Sequence, residues 1–182
     1  MKDAGKVVTV NGPIDPEQLG LTLTHEHLLI DMGKYFEPHD DPALAAELEG
    51  PLSIEMLGVM KHNYRANRDN QYLDSPELAL REALRFKARG GGTICDLTTN
   101  GIRVPGHAEH LRWLSRTAGL NVVFGAGAYV RLFHPDWVET DTIDQLADRF
   151  VKEIEEGIGP EKVRAGILGE IGLSAGLNPA AT

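Results

Sequence analysis

Leu21-Thr22-Leu23-Thr24-His25-Glu26-His27-Leu28 reads as a short apolar strand ending in two histidines spaced i, i+2. Alternate side chains of a strand share a face. Both imidazoles can therefore converge on one point, with Glu26 turned the other way. Two neutral imidazoles on one side of a strand end form half of a transition-metal site. The helical zinc motif H-E-x-x-H spaces its histidines i, i+4, so this H-E-H works only on a strand. The competing reading is a pair of polar residues at a strand end with no metal. The rest of the chain has to decide between them.

Before that stretch, residues 7–10 form a β-branched run that Asn11-Gly12-Pro13 breaks with turn chemistry. Asp15-Pro16 is a cap and first position for one helical turn. The two short strands, 7–10 and 21–28, are expected to pair as a small flap. After it, residues 31–52 are irregular, with Pro38, Pro42, Gly50 and Pro51 as breakers. Residues 53–68 then show a helical pattern with Ile54, Leu57 and Met60 on one face.

Beyond residue 75 the pattern becomes regular. Ser75-Pro76 opens a helix that Gly90 closes. Thr93-Ile94-Cys95-Asp96-Leu97-Thr98 is a strand. A helix over 106–118 presents Leu111, Leu114 and Ala118 inward and stops at Gly119. Residues 121–127 are a strand. A helix from about Asp141 to Gly157 carries Ile143, Leu146, Ala147, Phe150, Val151 and Ile154 at helical spacing. A last strand spans 163–169 and ends at Glu170. Strands alternating with helices define βαβ units and a parallel sheet. Such proteins place their chemistry at the carboxyl ends of the strands. That rule selects His25 and His27, then Thr98, Thr99 and Asn100, then Tyr129 and Arg131, and finally Glu170.

Composition narrows the function. With 18 Lys+Arg against 27 Asp+Glu in 182 residues, the net charge of −9 argues against nucleic acid or an anionic membrane as partner. The single cysteine, Cys95, excludes an intrachain disulfide and fits a reducing cytoplasm. Its expected role is an inert buried thiol. Residues 1–6 lead into too short an apolar run for a signal peptide, and no stretch approaches the length of a membrane span.

Four ordered segments resemble the phosphotriesterase family of the amidohydrolase superfamily. They are Gly12-Pro13-Ile14 with the Thr24-His25-Glu26-His27 strand, Gly91-Gly92-Thr93-Ile94-Cys95-Asp96-Leu97-Thr98-Thr99-Asn100-Gly101-Ile102, Gly125-Ala126-Gly127-Ala128-Tyr129-Val130, and Ala165-Gly166-Ile167-Leu168-Gly169-Glu170-Ile171-Gly172. The match is nearest to the phosphotriesterase-related branch, because Glu170 stands where phosphotriesterases and lactonases carry a carboxylated lysine. The resemblance implies a TIM-type (β/α)8 barrel with a binuclear metal centre, usually two zinc ions. It implies that His25 and His27 bind the more buried ion and that Glu170 bridges the two. It places Tyr129 as a pocket aromatic touching substrate. In such a centre two metals about 3.5–4 Å apart share a hydroxide, and bound water falls from a pKa of about 15.7 toward about 7. The implied activity is hydrolysis of a small-molecule ester, lactone, phosphoester or amide.

The departures are equally specific. A complete family barrel adds one histidine each from strands five and six and an aspartate from strand eight. The chain runs about a dozen residues past Glu170, so the resemblance covers four βα units. The expectation is one domain over residues 1–182, truncated after the fourth barrel strand: a half-barrel that self-associates or pairs with another half-barrel. The loop from Gly101 to Gly106 also lacks the family's Gly-Arg-Asp step. His39, His62, His107, His110 and His134 are read as solvated or capping residues. Asp96 is a candidate for the barrel interior, read as a hydrogen-bonded structural carboxylate. Glu26 is read as a supporting or packing residue. Two other functions stay open. Gly169-Glu170-Ile171-Gly172-Leu173 also resembles the TatD-type metal-dependent nucleases, and the chain can be a non-catalytic metal-binding half-barrel.

Overall fold

The chain is described from a computed structural model over residues 3–174. Residues 1–2 and 175–182, the two ends of the expected domain, lie outside the described residues. Turn chemistry at Asn11-Gly12 shapes the start. The Thr9 hydroxyl donates to the Gly12 carbonyl (2.8 Å) and accepts from the Asn11 N–H (3.2 Å). This folds β1 (Val7–Thr9) back onto β2 (Gly12–Ile14) as an antiparallel hairpin. The expected pairing of residues 7–10 with the H-x-H strand does not occur. Gly12 brings the chain round early, so the local partner is reached first. The hairpin instead abuts the sheet, where the Val10 N–H donates to the Val122 carbonyl (2.8 Å) and Val10 is fully buried.

The main sheet contains β3 (Leu21–Glu26), β6 (Gly91–Asp96), β7 (Asn121–Ala126) and β8 (Ile167–Leu168), all parallel and side by side in that order. Between β3 and β6 lie β4 (Ile30–Asp31), α1 (Pro42–Glu47), α2 (Leu57–Met60), β5 (Tyr72–Leu73) and α3 (Pro76–Ala88). After β6 come α4 (His107–Ala118), then β7, α5 (Asp136–Thr140) and α6 (Ile143–Glu155). The result is a curled half-barrel: the alternation implied its parallel sheet, and the family resemblance implied the barrel.

The helix ends follow from side-chain chemistry. The Ser75 hydroxyl accepts from the Leu78 N–H at the start of α3. Thr142 and Gln145 cap α6 reciprocally. Gly119 ends α4 in the left-handed conformation, at φ 63°. Leu111, Leu114 and Ala118 of α4 are buried as the spacing required. They meet Ile94, Val122 and Phe124 in the layer between sheet and helices.

Three elements differ from their sequence expectation. Residues 53–68 form only a short 3-10 turn and α2, because Asn67 competes for the loop. Its buried amide donates to the carbonyls of Leu48 (2.7 Å) and Gly50 (3.1 Å), holding the segment as a wound loop around Leu48, Met60 and Ala66. The last strand shrinks to Ile167–Leu168. Its earlier residues are engaged elsewhere: Val163 exchanges backbone bonds with Ile158, and the Ala165 N–H donates to Glu153 of α6. On α6, Leu146 is buried but Ile143 and Val151 are 62% and 47% exposed, so much of the apolar stripe faces outward. Glu153 also turns inward.

Candidate metal centre

The three donors from the H-x-H strand and the fourth strand end meet at one point. The ligand atoms of His25, His27 and Glu170 lie within 4.8 Å of one another. His25 and His27 stand at the carboxyl end of β3 and its continuation. Their rings are edge to face, with centroids 5.4 Å apart. Each offers Nε2 to a different oxygen of Glu170, His25 to Oε1 and His27 to Oε2, both at 3.5 Å. Glu26, between them, is exposed and lines a groove outside the sheet, between β3 and α3. His27 borders the same groove, so it is the convergence of both imidazoles on Glu170 that matches the i, i+2 reading.

Glu170 is placed by backbone rather than by a long element. Its N–H donates to the Leu97 carbonyl (3.2 Å), and its own carbonyl accepts from the Thr99 hydroxyl (3.0 Å). The Gly169 N–H donates to Ala126 (2.8 Å). Gly125 makes this approach possible, since a Cβ there would collide with the Gly169 carbonyl. Two imidazole nitrogens with a carboxylate are a donor set suited to a transition-metal ion. Among the described residues, this is the one such group of three or more histidine, cysteine or acidic side chains.

Of the other strand-end residues, Thr98 touches the centre and Thr99 holds the Glu170 backbone, whereas Asn100 and Arg131 are engaged elsewhere. Thr98 contacts His27, with its Oγ1 3.0 Å from the ring Nδ1. Asn100 ties the Gly127 carbonyl (2.8 Å) to Glu153 (2.7 Å). Arg103 joins the same network through Glu153 Oε2 (2.8 Å) and the Gly125 carbonyl (2.7 Å), with its guanidinium over the Phe124 ring. In place of the Gly-Arg-Asp step, the loop thus supplies an arginine buried against α6. Arg131 is exposed and lies 3.6 Å from Glu139.

Tyr129 packs against Phe133 with ring centroids 5.7 Å apart, and Tyr35 packs on the other side of Phe133 at 4.8 Å. Partial burial pushes the Tyr129 hydroxyl above its ordinary value, and the negative charge of Glu170 adds to this. Tyr35, from the irregular segment, and Tyr64, from the segment read as helical, were not singled out in sequence. Loop residues carry no periodicity that would mark them.

Two histidines differ from the surface role expected of them. His107 is 3% exposed, and its Nε2 lies 3.1 Å from Asp96 Oδ1. His134 is buried, its Nε2 donating to the Tyr129 carbonyl (2.7 Å). Helix packing decides the first, because α4 begins directly under the β6 strand end. His39 does act locally, accepting from the Asp41 N–H (3.0 Å). Asp96 is the structural carboxylate expected, but it faces the helix layer rather than the barrel interior. It shares the parity of Ile94, which packs in that layer. It also accepts from the Leu28 N–H (2.8 Å) and the Thr98 N–H (3.1 Å). Burial alone would raise its pKa. His107, the Leu28 backbone donor and a hydrogen bond from Thr98 outweigh burial and hold the carboxyl below its usual range. Burial raises the Cys95 thiol, consistent with an unreactive side chain.

A curled parallel half-sheet with convergent imidazole and carboxylate donors at its strand ends is half of a TIM-type barrel. The chain belongs to the phosphotriesterase family, whose model matches residues 5–182. The N-acetyltaurine hydrolase of Xenopus tropicalis is 38% identical over 173 residues, covering 94% of this chain and 48% of that protein. The N-acetyltaurine hydrolase of Rattus norvegicus is 34% identical over 171 residues, with the same two shares, 94% and 48%. A solved resiniferatoxin-binding protein from Rhodobacter sphaeroides superposes with a TM-score of 0.87 at 37% identity, over 93% of this chain and 47% of that one. The chain spans about half the length of the curated relatives it matches. No helix among the described residues is long and apolar enough to cross a membrane.

Proposed function

We propose that this chain carries the first half of a metal-dependent hydrolase site that cleaves a small-molecule amide, ester, lactone or phosphoester. The observation that carries this reading is the convergence of His25, His27 and the Glu170 carboxylate within 4.8 Å. His25 and His27 would hold one divalent ion, zinc by preference. Glu170 would add a carboxylate ligand beside them, since each of its oxygens lies 3.5 Å from one of the two imidazoles; the binuclear centre of the family would take further ligands from outside these four strands. A bound divalent ion supplies acidified water and polarises the oxygen of the scissile group. The chain's own residues set the geometry: two imidazoles fixed on one strand face, a carboxylate fixed by backbone bonds, and Tyr129 as a wall for substrate. Because several relatives are N-acetyltaurine hydrolases, a small N-acyl amide is the preferred substrate class. The single cysteine, Cys95, fits a reducing cytoplasm.

The test is zinc titration followed by a hydrolysis panel of N-acyl amides, lactones, phosphotriesters and single-stranded DNA. Zinc binding that weakens more than about 100-fold in His25→Ala and His27→Ala is the expected result for this chain, with turnover of a member of the first three classes when a complementary half-barrel is supplied. Hydrolysis of DNA alone would move the chain to the nuclease reading. Zinc bound with no turnover would leave a non-catalytic metal-binding half-barrel, and no binding at all would remove the metal centre.

A further inference from the structure

Each imidazole that binds a metal must present an unprotonated nitrogen to it, and the partner of the other nitrogen decides which one is free. His27 Nδ1 has such a partner in the Thr98 hydroxyl, 3.0 Å away. That hydroxyl has one hydrogen to give. The Leu29 carbonyl, which can only accept, lies 3.1 Å from the same Oγ1. Thr98 is fully buried, so water does not compete for these contacts. With its own hydrogen directed at Leu29, the Thr98 oxygen is left as an acceptor, and the proton in the contact with His27 must come from the ring.

We propose that Thr98 is a positioning residue that holds the His27 proton on Nδ1 and so presents Nε2 as the free donor facing Glu170. This rests on the metal-site reading above for its purpose, but the tautomer itself belongs to the metal-free chain. The spacing at the other nitrogen agrees. Nε2 is 3.5 Å from Glu170 Oε2, longer than a protonated nitrogen facing a carboxylate would settle.

Thr98 is itself held in place from below. Its N–H donates to Asp96 Oδ1 (3.1 Å), while Asp96 Oδ2 accepts from the N–H of Leu28, the residue next to His27. One buried carboxylate therefore sets the spacing between the strand that carries the imidazole and the strand that carries the hydroxyl. His107, on α4, closes the arrangement against Asp96. Valine at position 98 keeps the shape and removes the acceptor. Serine keeps the acceptor.

The test is 15N-detected histidine NMR on the metal-free chain at about pH 8.5, well above the usual histidine value of about 6.5. The His27 signal is assigned by its loss in His27→Gln. Wild type and Thr98→Ser are expected to show the Nδ1–H tautomer. Thr98→Val is expected to lose that preference and to bind zinc about 10–100-fold more weakly. An Nε2–H tautomer in wild type, or an unchanged tautomer in Thr98→Val, would overturn the proposal. If Thr98→Val does not fold, the wild-type and Thr98→Ser spectra still decide. Absence of zinc binding by wild type would count against the proposed function, whereas the tautomer of the metal-free chain is read separately.

Discussion

Asp96 shows how much one buried side chain can organise. It ties β3 to β6 through Leu28 and Thr98 and anchors the start of α4 through His107. Its carboxyl is held below the usual range, so the unfolded chain binds a proton there more readily than the folded one. Stability from this group is therefore complete above the ordinary carboxylate value of about 3.9 and is lost as pH falls through the lower folded value. Asp96→Asn should cost about 1–3 kcal/mol at neutral pH, because it weakens buried charge-assisted bonds. It should also flatten the acid limb of the stability profile below about pH 4. Urea unfolding at a series of pH values measures both effects. Equal neutral stability for the two proteins would show that the carboxylate does not brace these elements.

The elements depend on a few stop signals. Gly119 ends α4 in the left-handed region, and the space where its Cβ would sit is empty. Gly119→Ala therefore isolates the backbone cost, about 1–2 kcal/mol, read as a fall of roughly 2–8 °C in melting temperature. Gly58, within α2, also has open space and no positive φ. Gly58→Ala should be neutral or stabilising by up to about 1 kcal/mol. Thermal melts of the pair form an internal control. Equal effects at both positions would mean that the left-handed conformation does not set the cost.

At the scale of the molecule, the half-barrel leaves β3 and β8 each paired on one side among the described residues. Near β8, Leu168, Ile171 and Leu173 are 57%, 59% and 75% exposed. Between β3 and α3 runs an apolar groove of about 410 Å³, lined by Leu23, Leu28, Leu78 and Phe86 among others. Unpaired strand edges with apolar flanks recruit further strands. The 182-residue chain should therefore associate with concentration, through a second copy or another half-barrel. Leu168→Lys, placing a charge on the β8 edge, should weaken that association. Sedimentation velocity across a dilution series reads this. A monodisperse monomer at all concentrations would refute it.

Sequence by itself determined the alternation of strands and helices and the caps at Ser75 and Gly119, and it singled out His25, His27 and Glu170 as the candidates that converge in the fold. These are local matters. Period-2 parity puts both imidazoles on one face, and the strand-end rule brings a distant glutamate to the same rim. Tertiary structure alone decided the rest. Asn67 overrode the helical pattern of residues 53–68 because a buried amide must find partners, and it found them in the carbonyls of Leu48 and Gly50. Glu153 turned inward on α6 alongside Leu146 and Ile154, where Arg103 and Asn100 meet its carboxylate. His107 became a buried partner of Asp96 because α4 starts beneath that strand end. A side chain's face can be counted along the chain, but its partner across 11 to 71 residues exists only once the elements have packed.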